Sequence, residues 1–168
     1  PGVDFTLDDK NRISNILDEL GVDYIEGGYP GANPIDTDFF NALPDLKKSK
    51  FVSFGMTKRP GRSISNDPGF NDLLSNKAGA ICFVAKSWDF HVEKALGCSL
   101  DENLASITES VKEASKTHSE VMVDCEHFFD GYKKNKIYAL ACAKAAFDSG
   151  ARWIILCDTN GGTLPDEV

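Results

Sequence analysis

EVMVDCEHFFDGYKKNKIYALACAKAAFDSGARWIILCDTNGG, residues 120–162, reads as strand, helix, strand. Glu120 to Cys125 is a short apolar run, Asn135 to Ser149 reads as a helix burying Leu140, Ala143 and Phe147, and Gly150 stops it. Arg152 to Cys157 is a second apolar run. Nearly continuous apolar strands joined by a helix imply a parallel sheet covered by helices, because only a strand buried on both faces loses its alternation.

The same grammar extends toward the N-terminus. Thr6-Leu7-Asp8-Asp9 is an N-cap signal, and Ile13, Ile16, Leu17 and Leu20 recur at helical spacing until Gly21, which predicts a helix of about fourteen residues. Val22 to Glu26 is a short strand, and Gly27-Gly28-Tyr29-Pro30-Gly31 is too rich in Gly and Pro to continue it. A helix over Thr37 to Leu43, a strand over Phe51 to Phe54 and a helix around Pro68 to Ser75 follow. Gly79 to Ala85 is another apolar run, and the capping box Ser99-Leu100-Asp101-Glu102 opens a helix carrying Leu104, Ile107, Val111 and Ala114. Thr163 and Pro165 read as the start of one more helix.

The class is therefore α/β. Strand starts near 22, 51, 79, 120 and 152 are spaced as units of a (β/α)8 TIM barrel, in which roughly 250 residues make eight units, so residues 1–168 hold five. A five-stranded doubly wound sheet is the alternative, with no GxGxxG or Walker motif to support it.

A formal net charge of -8 argues against nucleic acid and anionic membrane as partners, since both demand a basic patch. No run approaches membrane-span length, and Pro1 to Thr6 lacks the basic and apolar parts of a leader, so a cytoplasmic location and a small-molecule ligand are expected. Cys82, Cys98, Cys125, Cys142 and Cys157 have irregular spacing without CxxC, which reads as free thiols, three of them inside strands.

In either architecture the active site lies at the C-terminal ends of the strands. Those ends carry Glu26, Thr57-Lys58-Arg59, Lys86-Ser87-Trp88-Asp89 with His91, Glu126-His127 and Asp158-Thr159-Asn160-Gly161-Gly162, whereas the opposite ends read as ordinary solvated turns. Glu26 and Asp158 suit either a site or a hydrogen-bonded brace. His118 reads as a surface turn residue. In an extended chain Glu126 and His127 point to opposite sides, so only one faces the barrel axis, and Glu126 is favoured. Lys58-Arg59 is a solvated loop pair or a clamp for a nucleotide-bearing substrate such as a CoA ester, and Lys86 permits a Schiff-base reading.

GVDYIEGGYPGANPID (21–36), KSWDFHV (86–92), DCEHFFDGYKKN (124–135) and LCDTNGGTLPDEV (156–168), in this order, resemble the citramalate synthase and 2-isopropylmalate synthase family within the HMG-CoA lyase-like metal-dependent TIM barrels. EHFFDG is nearer the citramalate synthase pattern. The resemblance implies an acyltransferase of amino-acid biosynthesis that condenses acetyl-CoA with an α-keto acid, pyruvate in the first place, using a divalent metal (Mg, Mn or Zn). It implies that Glu126 assists proton handling, that Thr159 hydrogen-bonds the keto acid carboxylate, and that Ser87, Asp89, His91 and Glu26 line the pocket. A lyase of the same superfamily and a non-catalytic barrel fragment are the competing readings.

The family's N-terminal DTTLRDG motif and its later HxH pair, which supply the metal ligands, do not occur in these residues. The chain is accordingly read as strands two to six of a parent barrel, a partial catalytic domain over 1–168 with no metal ligand of its own. His91, His118 and His127 lack the close same-face spacing of a ligand pair on one strand. Unpaired sheet edges make a homodimer the expected assembly and turnover by the segment alone unexpected.

Overall fold

The computed structural model describes residues 3–168, so Pro1 and Gly2, where the leader reading began, lie outside it. Helix α1 spans Leu7–Leu20, the predicted fourteen residues. Thr6 and Asp9 form a reciprocal capping box, and Gly21 closes the helix at φ 85°, a left-handed conformation that glycine adopts without Cβ strain. The buried face differs from the expected one. Ser14 and Asp18 are covered, while Ile13, Ile16 and Leu20 are exposed, Leu20 at 74%.

Asp18 fixes that phase, because its carboxylate accepts the amides of Lys47, Lys48 and Ser49 at 2.7–2.9 Å and ties α1 to the segment entering the next strand. The Ser49 and Lys47 amides push its pKa down to about 2 from 3.8; little of its surface is exposed, but the covering loop is itself superficial, so desolvation is outweighed. A depressed carboxyl pKa contributes stability above the unfolded value that is lost as pH falls through the folded one. Asp18→Asn is expected to lower the melting temperature by several degrees at pH 7, with the gap from wild type closing between pH 4 and pH 2 in parallel calorimetric scans. A gap constant across that window would reject the role.

The remaining elements follow the expected alternation: β1 Tyr24–Gly28, α2 Pro34–Asn41, β2 Lys50–Met56, α3 Pro68–Leu74, β3 Ala80–Lys86, α5 Leu100–Ala114, β4 Glu120–Glu126, α7 Lys136–Asp148 and β5 Trp153–Leu156. Three helical pieces were not expected: a 3-10 turn over Ile64–Asn66, α4 Asp89–His91, which runs into a π turn over Val92–Leu96, and α6 Phe128–Lys134. β1 continues through Gly27 and Gly28 where a loop was expected. Gly27 stays in the strand because a Cβ there would lie 2.6 Å from the Phe39 ring of α2, so its bareness lets that helix dock. α2 starts early because Asn33 caps it and Pro34 fits its first turn. Residues 165–167, where the start of a helix was expected, form a turn in which the Glu167 carboxylate accepts the Leu164 amide.

The strands form one parallel sheet in the order β1-β2-β3-β4-β5. A doubly wound sheet reverses its strand order at a switch point, and this one does not. The sheet is also strongly curved. Adjacent strands lie about 4.8 Å apart, so β1 and β5 of a flat sheet would be roughly 19 Å apart, yet Trp153 Nε1 of β5 donates to the Tyr24 hydroxyl of β1 at 3.2 Å. Sequential parallel strands curving round a concave face make a segment of a (β/α)8 barrel.

The convex face carries the main core. Ile81, Phe83, Val123 and Cys125 meet Ile107 and Val111 of α5 and Ala139, Cys142 and Ala146 of α7. α7 thus buries Tyr138, Ala139, Cys142 and Ala146, whereas Leu140 and Phe147, expected in the core, face outward, Phe147 at 69% exposure. The small residues let the helix approach the sheet closely, which overrides the preference for burying the larger ones. On the concave face Val52, Ala80, Cys82 and Met122 form a smaller layer. Below it Lys50 pairs with Glu120, which also accepts from the Tyr24 hydroxyl, so the end read as plain solvated turns holds a polar floor. His118 at that end is buried rather than a surface turn residue, with Nδ1 against the Thr117 hydroxyl at 3.0 Å. No helix among the described residues is long and apolar enough to cross a membrane.

Candidate active site

Lys86 and Glu126 are register partners at the ends of β3 and β4, and alternation along each strand turns both toward the concave side. They form an ion pair, each partly exposed. Ser87, the residue after β3, is fully buried, and its hydroxyl donates to the Glu126 carbonyl at 2.7 Å, clamping the two strand ends together. α6 packs against this clamp at Gly131, where a Cβ would meet the Ser87 carbonyl oxygen at 2.6 Å.

His127 corrects an inference from alternation. It adopts φ 53°, ψ 37°, a left-handed conformation uncommon for a residue with a Cβ, and so does not continue the strand. Its N–H donates to the Thr159 hydroxyl oxygen at 2.9 Å, and Nδ1 lies 3.3 Å from Asp130 Oδ2, which also accepts from Asn160 Nδ2 at 3.0 Å. The turn places His127 beside Glu126 instead of across from it. His91, carried over from β3 by α4, meets the His127 ring edge-on at 4.4 Å between centroids, and Trp88 packs 4.6 Å from His91 and 5.9 Å from His127. Burial, then the neighbouring His127 and Lys86, hold His91 below the usual imidazole pKa.

The other expected residues fall around this centre. Asp89 accepts from Asn135 Nδ2 at 2.8 Å and from the Phe90 amide, joining α4 to the cap of α7. Thr159 accepts from His127, which leaves its hydroxyl hydrogen available to another acceptor. Asp158 is a brace, accepting both the amide and the hydroxyl of Thr163. Lys58 is buried, with Nζ 3.0 Å from the Arg62 carbonyl and 3.3 Å from Glu109, so it is neither a solvated loop charge nor a free phosphate clamp.

Glu26 belongs to a second cluster, with Cys82 and Asp124, whose donor atoms all lie within 4.8 Å of one another. Asp124 escaped the sequence reading, although its place two residues before Glu126 puts it on the same face of β4. Glu26 as a residue is exposed, but its carboxyl leans into the concavity, and burial followed by the Asp124 charge raises its pKa. Burial raises Asp124 as well. The thiols of Cys82, Cys125 and Cys142 are buried and free, with pKa values pushed up by burial, as expected of structural cysteines.

The site therefore offers a carboxylate paired to an ammonium, two imidazoles and a hydroxyl donor at one end of a concave sheet, above a pair of carboxyls held near one another. The HMGL-like family model matches residues 1–168. The (R)-citramalate synthases of Aquifex aeolicus and Streptomyces coelicolor are 47% and 46% identical over 99% of this chain, and each match covers 32% of the relative. The chain thus spans about a third of the length of the curated relatives it matches. Among solved structures, the HMG-CoA lyase of Bacillus subtilis superposes with a TM-score of 0.75 at 18% identity, over 99% of this chain and 56% of the lyase, which is a likeness of fold. Family model, sequence identity and barrel geometry agree: this chain belongs to the HMGL-like family.

Proposed function

We propose that these residues form part of the catalytic barrel of an acetyl-CoA-dependent α-keto acid condensing enzyme, with pyruvate as acceptor and citramalate as product. The observation that carries the reading is the 46–47% identity to (R)-citramalate synthases along nearly the whole chain. In the reaction the acetyl methyl carbon loses a proton and bonds to the keto carbon, the keto oxygen ends as a hydroxyl, and water cleaves the thioester to release CoA. Glu126 handles the methyl proton, with Lys86 fixing one carboxylate oxygen. Thr159 donates its free hydroxyl hydrogen to the keto acid carboxylate. His91 and Asp89 shape the wall beside Trp88, Ser87 holds the strand ends in register, and Glu26 with Asp124 forms the acidic floor.

A divalent ion, when bound, polarises the keto oxygen. The described residues fit its presence as neighbours: Glu26 and Asp124 are two close carboxyls, both with raised pKa, and a nearby cation would relieve their repulsion. By resemblance the family's own ligands lie in motifs outside these residues. The test is thiol release from acetyl-CoA by a full-length protein containing these residues. Release that requires both pyruvate and a divalent ion supports the reading, whereas cleavage of a hydroxy-acyl-CoA without acetyl-CoA would assign the protein to the lyases.

A further inference from the structure

In the proposed condensation no proton or bond is assigned to either imidazole at the ends of β3 and β4: His91 only shapes a wall, and His127 has no role. One donor atom each from His91, Glu126 and His127 lies within 4.8 Å of the others. Two histidines and a carboxylate are the donor set of open zinc sites, in which a fourth position is left to water or another small ligand. The expectation that these histidines could not act together rested on spacing along single strands. They meet instead across two loops, through the left-handed turn at His127 and the π turn that follows His91.

The surroundings are those of a ligand set held from behind. Asp130 engages His127 Nδ1 at 3.3 Å and is itself held by Asn160, which leaves the other ring nitrogen as the donor for an ion. A carboxylate on the far nitrogen is what orients and strengthens a metal-binding imidazole. Lys86 engages Oε2 of Glu126, and the carboxylate has a second oxygen to offer. Trp88 walls the two rings on one side.

We propose that His91, Glu126 and His127 form a binding site for one borderline divalent transition ion of the Zn2+ or Co2+ class, with Asp130 as a positioning residue for His127. Nitrogen donors select this class over the hard oxygen-seeking Mg2+. Lys86 opposes the ion, since its ammonium already neutralises Glu126 and repels a second cation. An ion in the site would take a carboxylate oxygen that the condensation needs, and would therefore inhibit it; only this consequence rests on the proposed function, and binding is tested apart from activity.

The experiment is a titration of the chain with Co2+, followed by visible ligand-field absorption and by proton NMR. The chain has three histidines, and His118 lies at the opposite end of β4, which makes the NMR assignment of the site direct. One equivalent of Co2+ is expected to shift or broaden the ring protons of His91 and His127 and spare those of His118, without a thiolate charge-transfer band, and Zn2+ but not Mg2+ should displace it. His91→Ala and His127→Asn, the latter chosen because Asn tolerates a left-handed turn, should each weaken binding at least tenfold. Asp130→Asn should weaken it roughly 10-fold, and Lys86→Met should tighten it roughly 10-fold by removing the competing charge. No binding, a thiolate band, histidine resonances that do not respond, or a Lys86→Met variant that binds more weakly would each overturn the proposal.

Discussion

Glu126→Gln in a full-length protein containing these residues lowers kcat by about 100-fold or more, the loss expected when a positioned acid–base group is removed. Gln keeps the size and one oxygen of Glu126, so the Ser87 clamp on the Glu126 backbone carbonyl remains and the strand ends stay in register. What disappears is the carboxylate that pairs with Lys86 and can take a proton. The defect should therefore appear in kcat with little change in KM for the keto acid, because the carboxylate is proposed to act on the methyl proton and not on the acceptor. Steady-state kinetics with acetyl-CoA and pyruvate separate the two. Unchanged kcat would remove Glu126 from the mechanism, and a pure KM effect would make it a binding group.

Gly131→Val is the substitution expected to damage the structure most. A Cβ at Gly131 would sit 2.6 Å from the Ser87 carbonyl oxygen and 3.0 Å from Trp88 Cα, both backbone atoms of the β3 end that cannot swing aside. Either α6 lifts or the β3 end shifts, at about 3 kcal/mol, the upper part of the usual range for overpacking. For a chain of this size that corresponds to a melting temperature roughly 6–12 °C lower. Gly69 in α3 is the control: its Cβ would meet nothing within 4 Å, so Gly69→Ala should be neutral or stabilising by up to about 1 kcal/mol. Equal melting temperatures for Gly131→Val and wild type would show that α6 does not rest on the strand ends as described.

Much of this arrangement is legible in the sequence for a physical reason. A strand buried on both faces must be apolar throughout, so Ala80–Lys86 and Glu120–Glu126 announce themselves, and polar groups following such runs mark the barrel mouth. Strand ends are less legible. Lys86 and Glu126 still belong to the ladder, because a polar side chain pointing into the open concavity does not interrupt backbone pairing.

Helix phase was misread in α1 and α7. Periodicity shows that one face differs from the other, but Asp18 with three amide partners, and a row of small residues along α7, decide which face is buried. Nothing local signals that His127 takes a left-handed turn, since that conformation is held by Thr159, thirty-two residues away. The Glu26–Asp124 neighbourhood is likewise invisible in one dimension, because it arises from curvature that brings β1 over β4.

The most direct test of the central claim is the mass of the product formed by a full-length protein containing these residues, supplied with pyruvate, a divalent ion and acetyl-CoA labelled with 13C at the methyl carbon. The account predicts a citramalate carrying one 13C, with one CoA thiol released per molecule formed. Labelled acetate alone would mean thioester hydrolysis without condensation, and would contradict it.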